Sequence, residues 1–434
     1  MHSSLRVADL FCGAGGISEG FRQAKCRIVL GTDIDPDAGA TYALNFPEAA
    51  MLHGDVRKAN VRERILAAAE DVDIVVGGPP CQAFSQVRNH DRLKDDTRNS
   101  LYREFVRIVS SIEPIAFMME NVPGLDQVGA KEQILIDLSL KGAYRVSAQV
   151  LDAADFGVPQ TRKRIFFIGL HRSLGVEPPT VSGSSATRAL SLQRRTRNGW
   201  VDYEPAEQNA DIWGGSFLER LLDQEDETLV TAEQAIGDLH SLRAGNRCDV
   251  ADTADLKPAS SAYQWRMRGG LGRELLNTSV PRVNADTVLR LSNLPPGANY
   301  RDLPEGLRRR YITGKLWGPH NGSGQLGRRH YYAYRRLHPL FWSWTLNTKA
   351  DSVYHYAEFR ALSVREFARL HSFPDRFVFT TDPRRGALEG RIEGGAAHSR
   401  YRQVGNAVPP LLARAIADAL SKKLAHRPAT KTST

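Results

Sequence analysis

The chain has 434 residues, 41% of them hydrophobic and 25% charged, with a formal net charge of +9. That length can bury a large core and suits two domains, and the basic balance favours an anionic partner. No run of about 18 apolar residues occurs, so a membrane-spanning helix is not expected, and Met1–Arg6 lacks the apolar core of a signal peptide.

Up to Leu170, short β-rich apolar runs alternate with helical patterns, which predicts βαβ units and a parallel sheet. Strands are expected at Val7–Phe11, Ile28–Asp33, Asp73–Gly77, Ile115–Glu120, Tyr144–Leu151 and Arg164–Leu170, with another short one ahead of Gly54. Helices are expected at Ile17–Ala24, Pro36–Asn45, Val61–Ala69, Ser100–Ser111 and Lys131–Lys141, and Pro36 suits a first helical turn. From about Arg172 the pattern breaks, and Ser182–Ser185, Arg194–Arg197 and Asp223–Glu227 predict a more irregular region. Leu294–Leu303 and Gly318–Gly327 are dense in loop-forming residues. Periodicity returns at Ser363–Leu370, where Ser363 and Glu366 have capping-box spacing. A last amphipathic helix is expected at Pro409–Leu420, and beyond about Ala425 the polar tail reads as disordered.

The segment Gly77-Gly78-Pro79-Pro80-Cys81-Gln82-Ala83-Phe84-Ser85 begins where the apolar run Val72–Val76 stops. It therefore reads as a loop leaving the C-terminal edge of a buried strand, where open α/β sheets place their ligands. Two prolines stiffen the approach to Cys81, and a sulfur presented there suits a nucleophile. On this segment alone a structural cysteine in a turn is the plainer reading. With Cys12, Cys26 and Cys248, it makes too sparse a set for a disulfide scaffold or a zinc site, so no metal and a reducing cytoplasm are expected.

Between the first strand and first helix, Asp9-Leu10-Phe11-Cys12-Gly13-Ala14-Gly15-Gly16 offers glycines for close approach of a ligand to backbone. Asp33-Ile34-Asp35 ends the second strand and Gly54-Asp55 follows the third. Three neighbouring strand ends bearing Gly, Asp and Asp describe an adenosine pocket better than three unrelated turns do. Glu120 follows five apolar residues, so partial desolvation should raise its pKa and fit it to hold or deliver a proton; a turn acid is an equal alternative. In Gln160-Thr161-Arg162-Lys163-Arg164, strand-like geometry would project both arginines to one side, toward a phosphate or carbonyl oxygen, although solvated arginines are the usual reading of such a run.

Taken in order, Phe11–Gly16, Pro79–Gln82, Glu120–Val122, Gln160–Arg164, Arg360–Glu366 and Arg402-Gln403-Val404-Gly405-Asn406-Ala407-Val408-Pro409 resemble the DNA (cytosine-5)-methyltransferase family, of the prokaryotic, restriction-modification type. The resemblance covers Val7 to about Leu420 apart from a middle block. It implies an S-adenosylmethionine-dependent, Rossmann-like doubly wound sheet (residues 1–172 and 398–424) with a smaller, irregular domain (173–397) that recognises its target mainly through 173–344. Cys81 would add to C6 of the target cytosine, Glu120 would contact N3 and the amino group, and Arg162 and Arg164 would steady the flipped base and its phosphate. Phe11 would stack on the adenine of the cofactor, with Gly13, Gly15 and Gly16 beside its methionine. Asp33 would hold the ribose, Ile34 pack on the adenine and Asp55 meet the exocyclic amine, while Pro80, Asn406 and Val408 would complete the pocket. S-adenosylhomocysteine would be the product.

Within the middle block, Ala262–Trp344 holds 14 Lys/Arg against 4 Asp/Glu, whereas His171–Ser261 holds 9 against 15. Trp265, Trp317, Tyr331, Tyr332 and Tyr334 are interleaved with Arg328, Arg329, Arg335 and Arg336, a mixture suited to groove and phosphate contacts, although for any single residue a partly buried aromatic core with a solvated rim is the better reading. These arginines, with Gln82 and Ser85 of the cysteine loop, are the expected DNA contacts. The resemblance implies double-stranded DNA as the partner and a functional pairing with a restriction endonuclease, and a monomer is expected. Two alternatives stay open on sequence alone: an RNA-directed (tRNA) member of the family, and a catalytically silent DNA-binding regulator.

Overall fold

A computed structural model describes residues 4–80, 100–127, 130–184, 229–239, 242, 245, 247–307, 334–383 and 395–425. Its centre is a seven-stranded sheet of β1 (Arg6–Leu10), β2 (Arg27–Asp33), β3 (Ala50–His53), β4 (Ile74–Gly77), β5 (Ala116–Asn121), β6 (Tyr144–Asp152) and β7 (Lys163–His171). The strand order is β3-β2-β1-β4-β5-β7-β6. Strands β1 to β5 pair in parallel, as the alternating pattern predicts. Strand β7 departs from that expectation, running antiparallel to both of its neighbours, β5 and β6. The sheet is therefore mixed, and the reversal has a consequence for the site: the beginning of β7 lies beside the end of β5, with Asn121 opposite Ile165.

Strand residues alternate between two apolar layers, the signature of a sheet covered on both faces. Val7, Ile74, Val76, Met118 and Ile168 enter one core, while Ala8, Leu10, Val75, Phe117, Met119 and Phe167 enter the other. Helices α1 (Gly16–Gln23), α2 (Pro36–Asn45), α3 (Ala59–Ala68) and α4 (Ser100–Ile112) follow β1 to β4. Asp35 caps α2, its carboxylate accepting from Asp37 N at 3.0 Å, and Pro36 occupies the first turn as expected.

The far end of the chain returns to this layer. A helix at Pro410–Ala425, longer than the sequence pattern indicates, packs on α1 so closely that a Cβ at Gly20 would lie 2.5 Å from the Ala413 methyl. Before it runs a helix the periodicity did not reveal, Gly395–Asn406, which ends at the Gly405-Asn406 pair of the last motif. The stretch after Arg172 carries short elements of its own: helices Ala232–Ile236, Ala262–Met267 and Ala285–Ser292, and a two-stranded sheet of Val250–Asp252 with Glu274–Leu276. The capping box is present at helix Val364–Leu370, where Ser363 and Glu366 bond reciprocally. Residues 426–434, expected to be disordered, lie outside the described residues.

Candidate active site

Strand β1 sits where the chain's progress across the sheet reverses, with β2 on one side and β4 on the other. Such a switch point opens a crevice at the carboxyl ends of the strands. The loops after β1 and β4 both emerge there. The β4 loop leaves against β1, since a Cβ at Gly77 would lie 2.3 Å from the Leu10 carbonyl. At Gly78 the same test meets Glu120 Oε2 at 2.9 Å, so the loop stem passes directly over that carboxylate. Asn121 Nδ2 donates to the Pro79 carbonyl at 3.3 Å and holds the stem to the end of β5. Pro80 is exposed. Cys81, Gln82 and Ser85 lie outside the described residues.

Glu120 is mostly enclosed, and Arg164 Nε approaches its Oε1 at 2.8 Å. Burial pushes the Glu120 carboxyl up from its ordinary range, and the Arg164 and Arg162 guanidinium groups oppose that rise. Both arginines thus act on one carboxylate. They do so from different settings: Arg162 is only 2% exposed, donating from Nη2 to Gly405 O at 2.8 Å and from Nη1 to Leu346 O at 3.2 Å. Burial depresses its affinity for a proton. Arg162 is therefore anchored in the protein interior, whereas Arg164 is the guanidinium that meets Glu120 directly.

The β1 loop carries backbone strain. Phe11 has φ +57°, in the left-handed region where a non-glycine residue costs of order 1–2 kcal/mol. Gly13 has φ +53°, and a Cβ there would meet nothing within 4 Å, so that side of the loop is open to a ligand. Gly15 and Gly16 are closed: a Cβ at Gly15 would strike Phe46, and one at Gly16 would come 2.2 Å from the Val408 carbonyl. Gly16 is thus where the far end of the chain meets the loop. Asp33 accepts from Gly13 N and Asp35 N, each at 2.8 Å, and spans the ends of β1 and β2. Each oxygen keeps a lone pair for a hydroxyl donor. Ile34 beside it is 60% exposed, an apolar surface at the rim. Asp55 is engaged by Arg57, whose Nε and Nη2 reach its Oδ2 at 3.0 and 2.7 Å. Asn406 is exposed and Val408 is 5% exposed.

The expected DNA contacts divide differently. Arg336 turns inward, only 7% exposed, and its Nη1 donates to the carbonyls of Leu294 at 2.5 Å and Leu291 at 3.4 Å. That corrects the expectation that it contacts DNA, because a guanidinium occupied by buried carbonyls cannot reach a phosphate. Tyr334 is likewise part of a core, stacked on Tyr354 with ring centroids 5.6 Å apart. Arg335 lies over the Trp344 ring and stays partly exposed, and Trp265 is 67% exposed. Arg328, Arg329, Trp317, Tyr331 and Tyr332 lie outside the described residues.

The profile of the C-5 cytosine-specific DNA methylases matches residues 5–422 of this chain. The chain belongs to that family. It is 32% identical to the type II methyltransferase M1.HphI of Haemophilus parahaemolyticus over 425 residues, covering 96% of this chain and 87% of that one. It is 28% identical to the DNA (cytosine-5-)-methyltransferase M.ApeKI of Aeropyrum pernix, across 97% and 99% of the two chains. A solved E. coli protein, described as a DNA modification methyltransferase encoded within a prophage, shares the fold with a TM-score of 0.64 over 97% of this chain and all of that one, at 24% identity.

This methylase is thus a DNA (cytosine-5-)-methyltransferase with an α/β fold, and its family implies S-adenosylmethionine as methyl donor. The residues present fit that cofactor: an open Gly13, an exposed Ile34 and a backbone-bound Asp33 share one rim of the crevice. Among the described residues no group of acidic, histidine or cysteine side chains has metal-binding geometry, and no helix is long and apolar enough to cross a membrane. Sequence reasoning assigned no role to Asn121 or Asp152. Asp152 accepts from Arg162 N at 2.9 Å and Thr161 Oγ1 at 2.8 Å, holding the arginine segment in place. Asn121 lay within a quoted motif. Nothing in the sequence marked Asp152, whose partners lie in the segment leading into β7.

Proposed function

We propose that the methylase transfers a methyl group from S-adenosylmethionine to C5 of a cytosine in a specific duplex sequence, by flipping the base out and bonding Cys81 to C6. The observation that carries this reading is the meeting of the Gly78–Pro80 loop stem with Glu120 and Arg164 at the switch-point edge. Cytosine C5 is a poor nucleophile, and addition of the Cys81 thiolate across C5–C6 makes it electron-rich. Negative charge then develops toward N3, where Glu120, its protonated form favoured by burial, holds a proton. Arg164 steadies that carboxyl, and Arg162 fixes the segment that presents Arg164. When bound, S-adenosylmethionine offers an electrophilic methyl carbon on its sulfonium, and S-adenosylhomocysteine departs. Loss of the C5 proton to a base and expulsion of the Cys81 thiolate then restore the aromatic ring.

For the cofactor, Phe11 and Ile34 supply apolar faces, Asp33 receives the ribose hydroxyls, and Gly13, Gly15 and Gly16 border the methionine end. Asp55 would meet an amine only beside or in place of Arg57. Pro80, Asn406 and Val408 close the pocket. Residues 1–172 and 398–424 form the catalytic unit in this reading, which the packing of Pro410–Ala425 on α1 supports. Residues 173–397 form the small domain, with target recognition mainly in 173–344. Arg328, Arg329 and Arg335, with Gln82 and Ser85, contact DNA. Flipping costs a few kcal/mol, and phosphate contacts offset it. The methylase acts as a monomer in the cytoplasm, at the nucleoid, where it protects host DNA from a cognate restriction endonuclease.

The test is a duplex carrying 5-fluorocytosine at the methylated position, found first by mapping 5-methylcytosine in a plasmid after expression. With no proton to lose from C5, the wild-type protein should form an adduct stable to denaturing electrophoresis, and Cys81→Ala should form none. An adduct in the Cys81→Ala protein would overturn the assignment.

A further inference from the structure

His371 lies one residue beyond helix Val364–Leu370, is fully buried, and falls outside the six motifs on which the family resemblance rests. Its Nε2 stands 2.8 Å from the Ala407 carbonyl oxygen and its Nδ1 stands 2.9 Å from Gln160 Nε2. A carbonyl only accepts, so the proton is on Nε2; Nδ1 is then the acceptor for the Gln160 amide. Burial, reinforced by the Arg162 and Arg164 charges, holds the ring well below its ordinary pKa and keeps it in this neutral tautomer. Gln160 is committed on every side: its Nε2 also donates to Leu370 O at 3.1 Å, and its Oε1 accepts from Leu346 N at 2.9 Å.

The two ends of this bridge are the two halves of the chemistry. Gln160 is two residues before Arg162, whose own Nη2 reaches Gly405 O at 2.8 Å. Ala407 stands between Asn406 and Val408, and the Val408 carbonyl is seated against Gly16 of the β1 loop. We propose that His371 is a positioning residue that sets the cofactor-closing segment 405–408 and the arginine segment 160–164 in register with each other, through Ala407 and Gln160. Ser372 extends the same clamp, its Oγ accepting from Leu411 N at 3.1 Å. The inference rests on the reading of Asn406 and Val408 as the closing wall of the pocket.

His371→Phe keeps the ring and its stacking on Phe373, where the centroids are 6.0 Å apart, but removes both hydrogen bonds. His371→Gln retains a donor and an acceptor on one flexible amide. The readouts are cofactor affinity by calorimetry with S-adenosylhomocysteine, and methylation of the mapped duplex resolved into kcat and KM for cofactor. His371→Phe should weaken cofactor binding by about tenfold or more, the scale of two buried polar groups left unpaired, and lower kcat as well. His371→Gln should recover most of both. If His371→Phe is too unstable to purify, Gln160→Met cuts the same bridge from its other end and must show the same double loss. Wild-type affinity and kcat in the folded Phe variant, or equal damage in the Phe and Gln variants, would overturn the inference. A wild-type protein that binds no S-adenosylhomocysteine would instead overturn the reading of the pocket.

Discussion

At the scale of single residues, Glu120 is balanced between burial, which favours its protonated form, and two guanidinium groups, which favour the charged one. Arg164→Gln removes the nearer cation and should raise the Glu120 pKa further. In the proposed mechanism the protonated acid is the working form, so the alkaline limb of the kcat/KM profile should move to higher pH as activity falls. A limb that stays in place would mean Glu120 is not the titrating group. Asp9 is another displaced carboxyl. Fully buried in β1 and bonded by Ser18 Oγ at 2.7 Å, it is pushed from 3.8 to about 7. A carboxyl raised on folding binds more protons in the native state, so its contribution declines as pH rises from about 4 to 7 and is level outside that window. Asp9→Asn keeps an acceptor for Ser18 and cannot ionise. The melting temperature of the variant relative to wild type should therefore climb between pH 4 and 7 and then plateau, whereas a constant difference would show that Asp9 does not titrate there.

Among elements, α2 and the extended segment after helix Val364–Leu370 show how a helix can read a strand. Asp37, Thr41 and Asn45 stand four apart on α2 and engage Asp382, Thr380 and Val378, which stand two apart. Four helical residues rise about 6 Å and two extended residues about 6.6 Å, so the repeats keep in step. Glu19 of α1 adds an ion pair to Arg376 at the next position of the same alternation. Asn45 closes both polar groups of Val378, accepting from its N–H at 2.9 Å and donating to its carbonyl at 2.8 Å. Asn45→Ala should therefore destabilise the fold by about 1–3 kcal/mol, since both backbone groups lose their partner. Chemical denaturation provides the check; a change under about 0.5 kcal/mol, the range of an ordinary surface substitution, would show the ladder to be incidental.

On the scale of the whole molecule, the chain leaves the catalytic sheet after β7 and returns to it through helix Pro410–Ala425, with the basic block in between. Under the proposed division of the chain, chemistry and sequence reading would vary independently. Moving residues 173–344 into a related methylase should transfer the methylated site and leave the reaction unchanged, as plasmid methylation maps would show. A chimera that keeps its host's site would place recognition elsewhere. Arg336 narrows the search within that block, because a cation bound to interior carbonyls adds to the charge count without facing a phosphate.

The sequence by itself determined the buried strands, the glycine-rich loop, the capping box at Ser363 and the succession of motifs, because each is a local pattern of side-chain type and spacing. Glu120, Arg162 and Arg164 stood out as candidate site residues for the same reason. Only the tertiary structure decided that β7 runs antiparallel, which is what carries Arg164 to Glu120. Pairing direction depends on how a connection crosses the sheet, and no residue in β7 encodes it. Partners that are main-chain atoms were equally hidden: Arg162, Arg336 and His371 all end on carbonyl oxygens far away in the chain. Every residue carries a carbonyl, so its choice as partner is made by folding alone.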